Sequence, residues 1–567
     1  MEINRRFAVS GSRNWQSAAR SGVVGVAIAL LLLLTCASVG QAQSLVAGDI
    51  SGVVSDPTAA VISGATITLT GLDTGSTQSS TSGSDGTYRF NLLKPGHYEL
   101  TLERAGFAKL VTDVDVVVGQ TTVANLKLEL SSQKGETIEV SGILPLISAD
   151  PGSSTSFSQR ELELLPSGGS DITNIAFTAP GVVVNVTGGY GNFTANGLPA
   201  TSNLFTVNGE NDMDPYFNIN NSGASNLTLG QNEIQEATVT TNPYAGEYGQ
   251  LIGSQVSYVT KSGTNQFHGN ATYSWNGREL NANNFFTNLN GGSRPFANAN
   301  QWAASVGGPI FKNKTFFFFD TEGLRFVLPN VDSVTVPTPD FAAAVLANIQ
   351  ANAPNELPTY QTMMGIWANA KGTTPQPIGI AACNASDLSL AGFTPNAADS
   401  SNGGGTNCAN NFTSTPTAFA KEWIIAGRVD QKITDKDNAF FRYKVDHGLQ
   451  PTTIDPLDPR FDANSNQPAW DAQANETHIF GARSTNAFTA SVSHYVAQFA
   501  QNQSLVNSIF PFATTFTSTG ASAFTPINGS GQAFPQGRNV TQYQFIDDFT
   551  LIRGRHSLKF GINFRRY

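Results

Sequence analysis

The chain has 567 residues, only 13% of them charged, with a net charge of −10 and an isoelectric point near 5.1. Soluble domains usually carry charge on about a quarter of their residues, so this composition points instead to a membrane barrel with long polar loops. The acidic balance, with no basic cluster against it, excludes nucleic acid as a partner.

Arg5, Arg6, Arg13 and Arg20 precede an apolar run at 23–34, and Gly40-Gln41-Ala42 follows it. Residues 1–42 therefore read as a signal peptide cut after Ala42, the run being too short for a spanning helix. Cys36 leaves with that leader, and Thr35 before it suits a lipoprotein site poorly. Cys383 and Cys408 remain, in one polar segment where an oxidising compartment would let them pair. Such a bridge would stabilise its loop by roughly 3 kcal/mol on the chain-entropy model; two free thiols are the alternative.

Residues 43–130 hold short β-rich runs at 49–54, 65–70, 86–90, 98–103 and 121–130, separated by Asp56-Pro57, Ser84-Asp85-Gly86 and Lys94-Pro95-Gly96. That spacing predicts a small β-sandwich, with Tyr88, Phe90 and Tyr98 in its core and glycines at turns of positive φ. The phrases Ile50-Ser51-Gly52-Val53-Val54, Gly64-Ala65-Thr66-Ile67 and Gly86-Thr87-Tyr88-Arg89-Phe90 resemble the carboxypeptidase regulatory-like domain. The resemblance implies a carbohydrate-binding-like fold and an accessory role without catalytic zinc.

Residues 131–140 read as a linker ending in an extended acidic-aliphatic segment: Glu136, Thr137, Ile138, Glu139 and Val140. It is similar to a TonB box, a peptide that adds as a strand to an energy-transducing partner. Residues 141–262 are expected to form a mixed α/β plug, with helical turns at 159–165 and 171–177. Strands are expected at 182–186, 203–207, 236–240 and 255–260. Little buried apolar surface is expected there. Asn208 and Gly209 are expected to form a turn, since Asn, like Asp, tolerates the left-handed conformation before Gly. The oxygen-rich stretch 208–214 does not match a calcium loop, so a polar turn is the better reading.

From 263 onward strands are expected at 267–276, 302–311, 315–326, 422–433, 439–446, 474–482, 487–499, 543–552 and 557–566. Short polar links alternate with long polar ones such as 327–421 and 500–542, the layout of an outer-membrane barrel. Phe441, Tyr443 and Val445 oppose Arg442, Lys444 and Asp446 across one strand. Phe316 to Phe319 load both faces, as an interfacial girdle or a plug contact. The junction from Glu247-Tyr248-Gly249 through Lys261-Ser262-Gly263-Thr264-Asn265 into Ala271, Tyr273 and Trp275 resembles the plug-to-barrel handover of TonB-dependent transporters, and of their Oar-like subfamily.

The fold expected is mainly β: a sandwich, a plug and the N-terminal portion of a transmembrane antiparallel barrel. Nine strands fall short of the roughly twenty or more that a plugged barrel needs, so a fragment of a longer protein is expected. No catalytic constellation is present; no H-E-x-x-H, G-x-S-x-G or phosphate-binding loop occurs. Neither a cofactor nor a metal site is expected. The resemblance implies a transporter in the outer membrane of a Gram-negative-type bacterium, with membrane lipid and a TonB-type protein as partners. Its ligand would be a chelate, glycan or peptide, and a loop aromatic such as Trp470 could stack on a sugar ring. The competing reading is a surface adhesion or carbohydrate-binding protein without energised transport.

Overall fold

The computed structural model describes residues 47–131, 137–140, 154–165, 168–184, 193–241, 252–283, 285–289, 293–329, 331–378, 408–481, 483–509, 524–528, 534–553 and 556–567. The signal peptide, Glu136 and Cys383 lie outside them.

The N-terminal unit is a sandwich of two sheets. One joins Gly48–Ser55, Thr87–Leu93, Thr121–Val123 and Leu126–Lys127; the other runs in the order Thr77–Thr81, Thr66–Gly71, Gly96–Glu103, Lys109–Val116, Thr137–Val140. Between them Ile50, Val54, Ile67, Leu69, Leu100, Leu102, Val114 and Leu128 are buried. Tyr88 and Phe90 meet edge to face at 6.2 Å in that core, whereas Tyr98 is only partly buried at its rim and donates to the Lys94 carbonyl. Gly86 has the expected positive φ of 73°. Gly52 is required for space instead: a Cβ there would sit 1.8 Å from the Ala124 carbonyl oxygen. Strands 77–81 and 109–116, both in the second sheet, are additional to those expected from the sequence.

The plug is built on a sheet ordered Ser154–Ser158, Ile234–Thr240, Gln255–Thr260, Leu204–Val207, Glu210–Asn211. Helix Gln159–Leu164 starts with a Ser158–Glu161 capping box, and Asp171 caps the 3-10 turn Ile172–Thr178 through the Thr173 amide. Contrary to the expectation of little apolar burial, Phe157, Ile175, Phe193, Phe205, Val239, Val256 and Tyr258 sit in one continuous core. The plug is therefore a compact body with its own apolar core.

Beyond Thr260 the chain leaves the plug sheet, so the Ser262-Gly263-Thr264-Asn265 stretch is a handover between sheets. All nine expected barrel strands are present in a ten-stranded sheet, with Ala463–Asn466 as the tenth. Neighbours pair antiparallel, as in Thr315–Pro329 against Thr417–Lys432 from Thr315↔Gln431 to Pro329↔Thr417. Side chains alternate as the pleat demands. Val429, Ile425, Phe441, Tyr443, Phe545 and Ile562 face outward, while Arg428, Asp430, Arg442 and Gln473 are buried on the lumen side. The four-phenylalanine run obeys the same rule: Phe316 and Phe318 are buried inward and Phe319 is exposed outward.

The sandwich sits at the end of the sheet that carries the short turns. Its Asn265 and Asp73 contact is a backbone bond of 2.9 Å, and Gln120 donates to Ser156 of the plug at 2.8 Å. A cavity of about 1550 Å³ remains between sandwich, plug and barrel, lined in part by Lys94, Gln235, Phe316, Phe318 and Phe440.

The long links at the other end are not structureless. Residues 331–378 and 408–414 form a subdomain: sheet Asp332–Pro337, Ala409–Ser414, Gln376–Ile378 under helices Pro339–Asn352 and Leu357–Asn369. Thr338 accepts from the Phe341 amide and Pro339 opens the helix, a start signal that the polar composition of the link obscured. Trp367 packs on Phe524 at 5.5 Å and donates to the Thr525 carbonyl at 2.9 Å, tying a second loop into the same core. Leu457, Phe461 and Val506 add to it from two further loop segments. Cys408 is buried here and disulfide-bonded; Cys383, its expected partner, is among the residues not described.

Two outcomes follow. Trp367→Ala should destabilise this loop subdomain by about 3–5 kcal/mol, seen as faster proteolysis of the loops in intact outer membranes with no change in barrel heat resistance. Glu236 of the plug accepts from the Val118 amide of the sandwich at 3.0 Å, and burial pushes its carboxyl from 4.5 up to about 8. A folded value above the unfolded one favours the protonated form, so this stabilisation is complete below pH 4.5 and is lost as pH rises through 8. The unfolding temperature should therefore fall from about pH 5 to about pH 9, and fall less in Glu236→Gln.

Candidate functional site

Alternation along each strand points one row of side chains into the lumen, and there the plug meets them almost wholly through polar groups. Arg442 is buried on strand Asp437–Thr453 and holds Glu233 of the plug through two guanidinium nitrogens, the Nη2 bond measuring 2.9 Å. Its Nη1 donates to Asp471 on the neighbouring strand. Burial pushes the Glu233 carboxyl up, but Arg442 outweighs this and holds it below the usual carboxylate range. Glu233 closes a 3-10 turn that begins at Gly230, whose φ is 119°. At the start of that turn Glu322 of the wall accepts from the Asn232 amide at 2.7 Å and the Gly230 amide at 3.3 Å. A carboxylate from the barrel thus caps orphan donors of the plug.

A second junction joins all three bodies. Arg428 grips Asp430 with two bonds of 2.8 and 2.9 Å and donates through Nη1 to the Thr260 hydroxyl at 2.8 Å, at the last residue of the plug sheet. Its guanidinium lies 4.0 Å over the Phe440 ring. Lys94 of the sandwich reaches the same Asp430 at 2.5 Å. One carboxylate therefore answers a cation on the wall and a cation on the N-terminal domain.

The expected turn at Asn208 and Gly209 is present, with φ of 46° and 81°. Asn208 is buried and uses both ends of its amide: Oδ1 accepts from the Thr260 amide at 3.0 Å, and Nδ2 donates to Gln473 of the wall at 3.0 Å. An aspartate there would lose the donor to Gln473. Further along, Gln544 accepts from the Asn211 amide at 2.9 Å and Gln542 donates to its carbonyl at 3.0 Å. Among the described residues, a small apolar cluster joins plug and wall, Leu229 against Leu324 and Ile424.

At the end of the plug facing the long loops, Tyr216 and Phe217 are exposed and meet edge to face at 4.9 Å. Arg538 of the wall lies 4.8 Å over Phe217, donates to the Tyr495 hydroxyl at 3.2 Å and is ion-paired with Asp214. Asp214 thus serves an ion pair within the stretch once compared with a calcium loop. Trp470 is not a loop residue: it lies in strand Ala469–Gly481, beside Tyr443 and His494, on the outward face. That places it in an aromatic band at the membrane surface rather than on a ligand.

Of the TonB-box-like residues, Thr137, Ile138, Glu139 and Val140 form a described strand, paired parallel to 109–112 of the sandwich. The segment is not a free linker peptide in this structure. The wall ion pairs were half-legible, because Arg442, Lys444 and Asp446 alternate as one charged face. Their plug partners, two hundred residues away, carry no local signal. Among the described residues one cluster has metal-ligand spacing, Asp437, Glu476 and His478. Asp437 is already engaged by His478 at 2.5 Å and by Thr434, which closes the turn.

Comparison with known proteins agrees with this architecture. Residues 259–567 match the outer membrane beta barrel domain, and residues 49–129 match the carboxypeptidase regulatory-like domain. The TonB-dependent transporter Oar of Myxococcus xanthus is 29% identical over 310 residues, covering 52% of this chain and 28% of that protein. The chain thus matches under a third of the length of this relative. Among solved structures, the outer membrane transporter YddB of Escherichia coli is similar at 10% identity and a TM-score of 0.46, over 73% of this chain and 48% of that one. The ferric enterobactin receptor PfeA of Pseudomonas aeruginosa is similar at 12% identity and a TM-score of 0.41, over 73% and 49% of the two chains. The barrel match spans more than half of the sequence, and this chain belongs to the outer membrane beta barrel domain family.

Proposed function

We propose that this chain is the N-terminal portion of a TonB-dependent outer-membrane transporter. It binds a ligand beneath its long loops and imports it when energy from a partner remodels the plug. The observation that carries this reading is the plug–wall interface. A compact plug with its own core is held by ion pairs and amide contacts, and among the described residues the apolar cluster across the seam is small. Polar contacts re-form with water when broken, so such a body can move relative to the wall without exposing a large apolar area. The exposed Tyr216–Phe217 pair lies where a ligand captured by the loops would first meet the plug. The segment Thr137–Val140 stands upstream of the first plug strand, Ser154–Ser158, in the position of a handle.

Two measurements test the reading. Val140→Pro removes a backbone donor from the handle, and at least about a tenfold loss of energy-dependent uptake is expected while surface binding of ligand persists. Normal uptake in that variant would leave the adhesion reading in its place. Arg442→Met leaves Glu233 and Asp471 buried without their counter-charge, a penalty of about 3–5 kcal/mol on plug seating. The variant should admit large hydrophilic antibiotics that the parent excludes, and adding Glu233→Gln should restore part of the barrier.

A further inference from the structure

The outward rim of the wall, beside the short turns, carries three ligating side chains that neither plug nor sandwich uses. Asp437 and His478 are direct partners across strands Asp437–Thr453 and Ala469–Gly481, and Glu476 stands two residues before His478 on the same face. Two residues at i and i+2 with a third directly across from one of them make a tripod on a pleated sheet, because alternate side chains point the same way. The ligating atoms of all three lie within 4.8 Å of one another. Two of them are held in place by their surroundings. Thr434 donates its hydroxyl to Asp437 Oδ2 and accepts from the Asp437 amide at 3.1 Å, leaving Oδ1 for His478. His478 Nδ1 meets that oxygen at 2.5 Å, and Phe480 packs edge to face on the imidazole at 4.3 Å. Glu476 stands otherwise. Its partners on the two adjacent strands are Ala439 and Phe488, and Phe441, Phe480 and Phe488 are exposed on the same outward face. A carboxylate among lipid-facing aromatics loses hydration and needs a counter-charge. A protonated His478 would answer only one of the two carboxylates, whereas a divalent cation answers both.

We propose that Asp437, Glu476 and His478 bind one divalent transition metal, zinc by preference, on the outward rim of the barrel. His478 supplies Nδ1 of a neutral imidazole whose Nε2 keeps its hydrogen, and each carboxylate supplies one oxygen. The imidazole donor selects zinc over calcium and magnesium, which take oxygen ligands. Three protein donors leave one tetrahedral position open to solvent at the membrane surface. Donors around one zinc stand about 3.3 Å apart, given bonds near 2.0 Å, so Asp437 and His478 part slightly as the metal takes the place of the proton between them. Thr434 is a positioning residue here: it fixes which oxygen of Asp437 faces the metal. The ion would tie together the ends of two strands whose connection, residues 454–468, lies at the far end of the sheet.

The test titrates Zn2+ into the full chain in detergent micelles, in competition with a chromophoric chelator. One equivalent should bind. His478→Ala should weaken binding by at least about a hundredfold, Glu476→Gln by at least about tenfold, and Thr434→Val by about ten- to a hundredfold. Co2+ in place of zinc should show the strong visible absorption of a four-coordinate ion, and His478→Ala should abolish it. Ca2+ or Mg2+ in about hundredfold excess should leave the zinc bound. Equal Zn2+ affinity in the parent and in Glu476→Gln would overturn the proposal, reducing the cluster to a His–Asp contact that holds an adventitious ion only. Displacement of zinc by an equal concentration of Ca2+ would overturn it as well. Glu476→Gln keeps the shape of its side chain, so its result decides the matter even where His478→Ala disturbs the strand.

Discussion

Everything in the lumen depends on one constraint: a charge taken out of water must meet an opposite charge or a set of dipoles. Asp430 states the case most fully. It lies on the barrel wall, is paired twice by Arg428, and accepts Lys94 from a domain more than 300 residues earlier in the chain. Arg428 in turn touches Thr260, the last residue of the plug sheet. Wall, plug and sandwich are thereby set against one another at a single carboxylate. Arg442 does the same for the middle of the plug, and Glu322 for the turn that delivers Glu233.

This division of labour separates what holds each body together from what holds them to one another. Sandwich and plug each have a continuous apolar core, while the described seams between them and the wall are mainly amides, hydroxyls and ion pairs, with small apolar clusters at Leu229–Leu324–Ile424 and Ala47–Leu92–Ala487. Apolar burial is costly to undo and non-directional; polar pairing is directional and exchangeable for water. The bodies therefore keep their shapes while the polar contacts between them can exchange for water, as the proposed plug remodelling requires.

The periodic parts of this architecture were legible from residues alone. Period-two patterning located all nine long barrel strands, because each has one face in lipid and one in a polar lumen. The Asn208-Gly209 turn was legible because few residues accept its backbone. Strand 109–116 is hard to read because Val111, facing outward, and Thr112, facing inward, break an alternation that Asp113, Val114, Asp115 and Val116 otherwise follow. The loop helices were hidden by overall polarity, although Thr338-Pro339-Asp340 is a helix start. Arg442 with Glu233 and Lys94 with Asp430 are contacts between distant segments, set by register and docking, and no local pattern announces them. The same holds for the pairing of Thr137–Val140 with the sandwich: its strand character was readable, its place in a sheet was not.

The loop subdomain has a consequence for how this protein can diversify. Surface loops ordinarily accept insertions and substitutions one at a time, since each answers only to its own strands. Here Val336, Trp367 and Phe412 from one link, Phe461 from a second, and Val506 and Ile527 from a third fill one core. A change of volume in one link is felt by the others, as in any close-packed interior. The outward face of this protein is therefore bound to vary in concert, with compensating exchanges across loops far apart in sequence, while tips remote from that core drift freely.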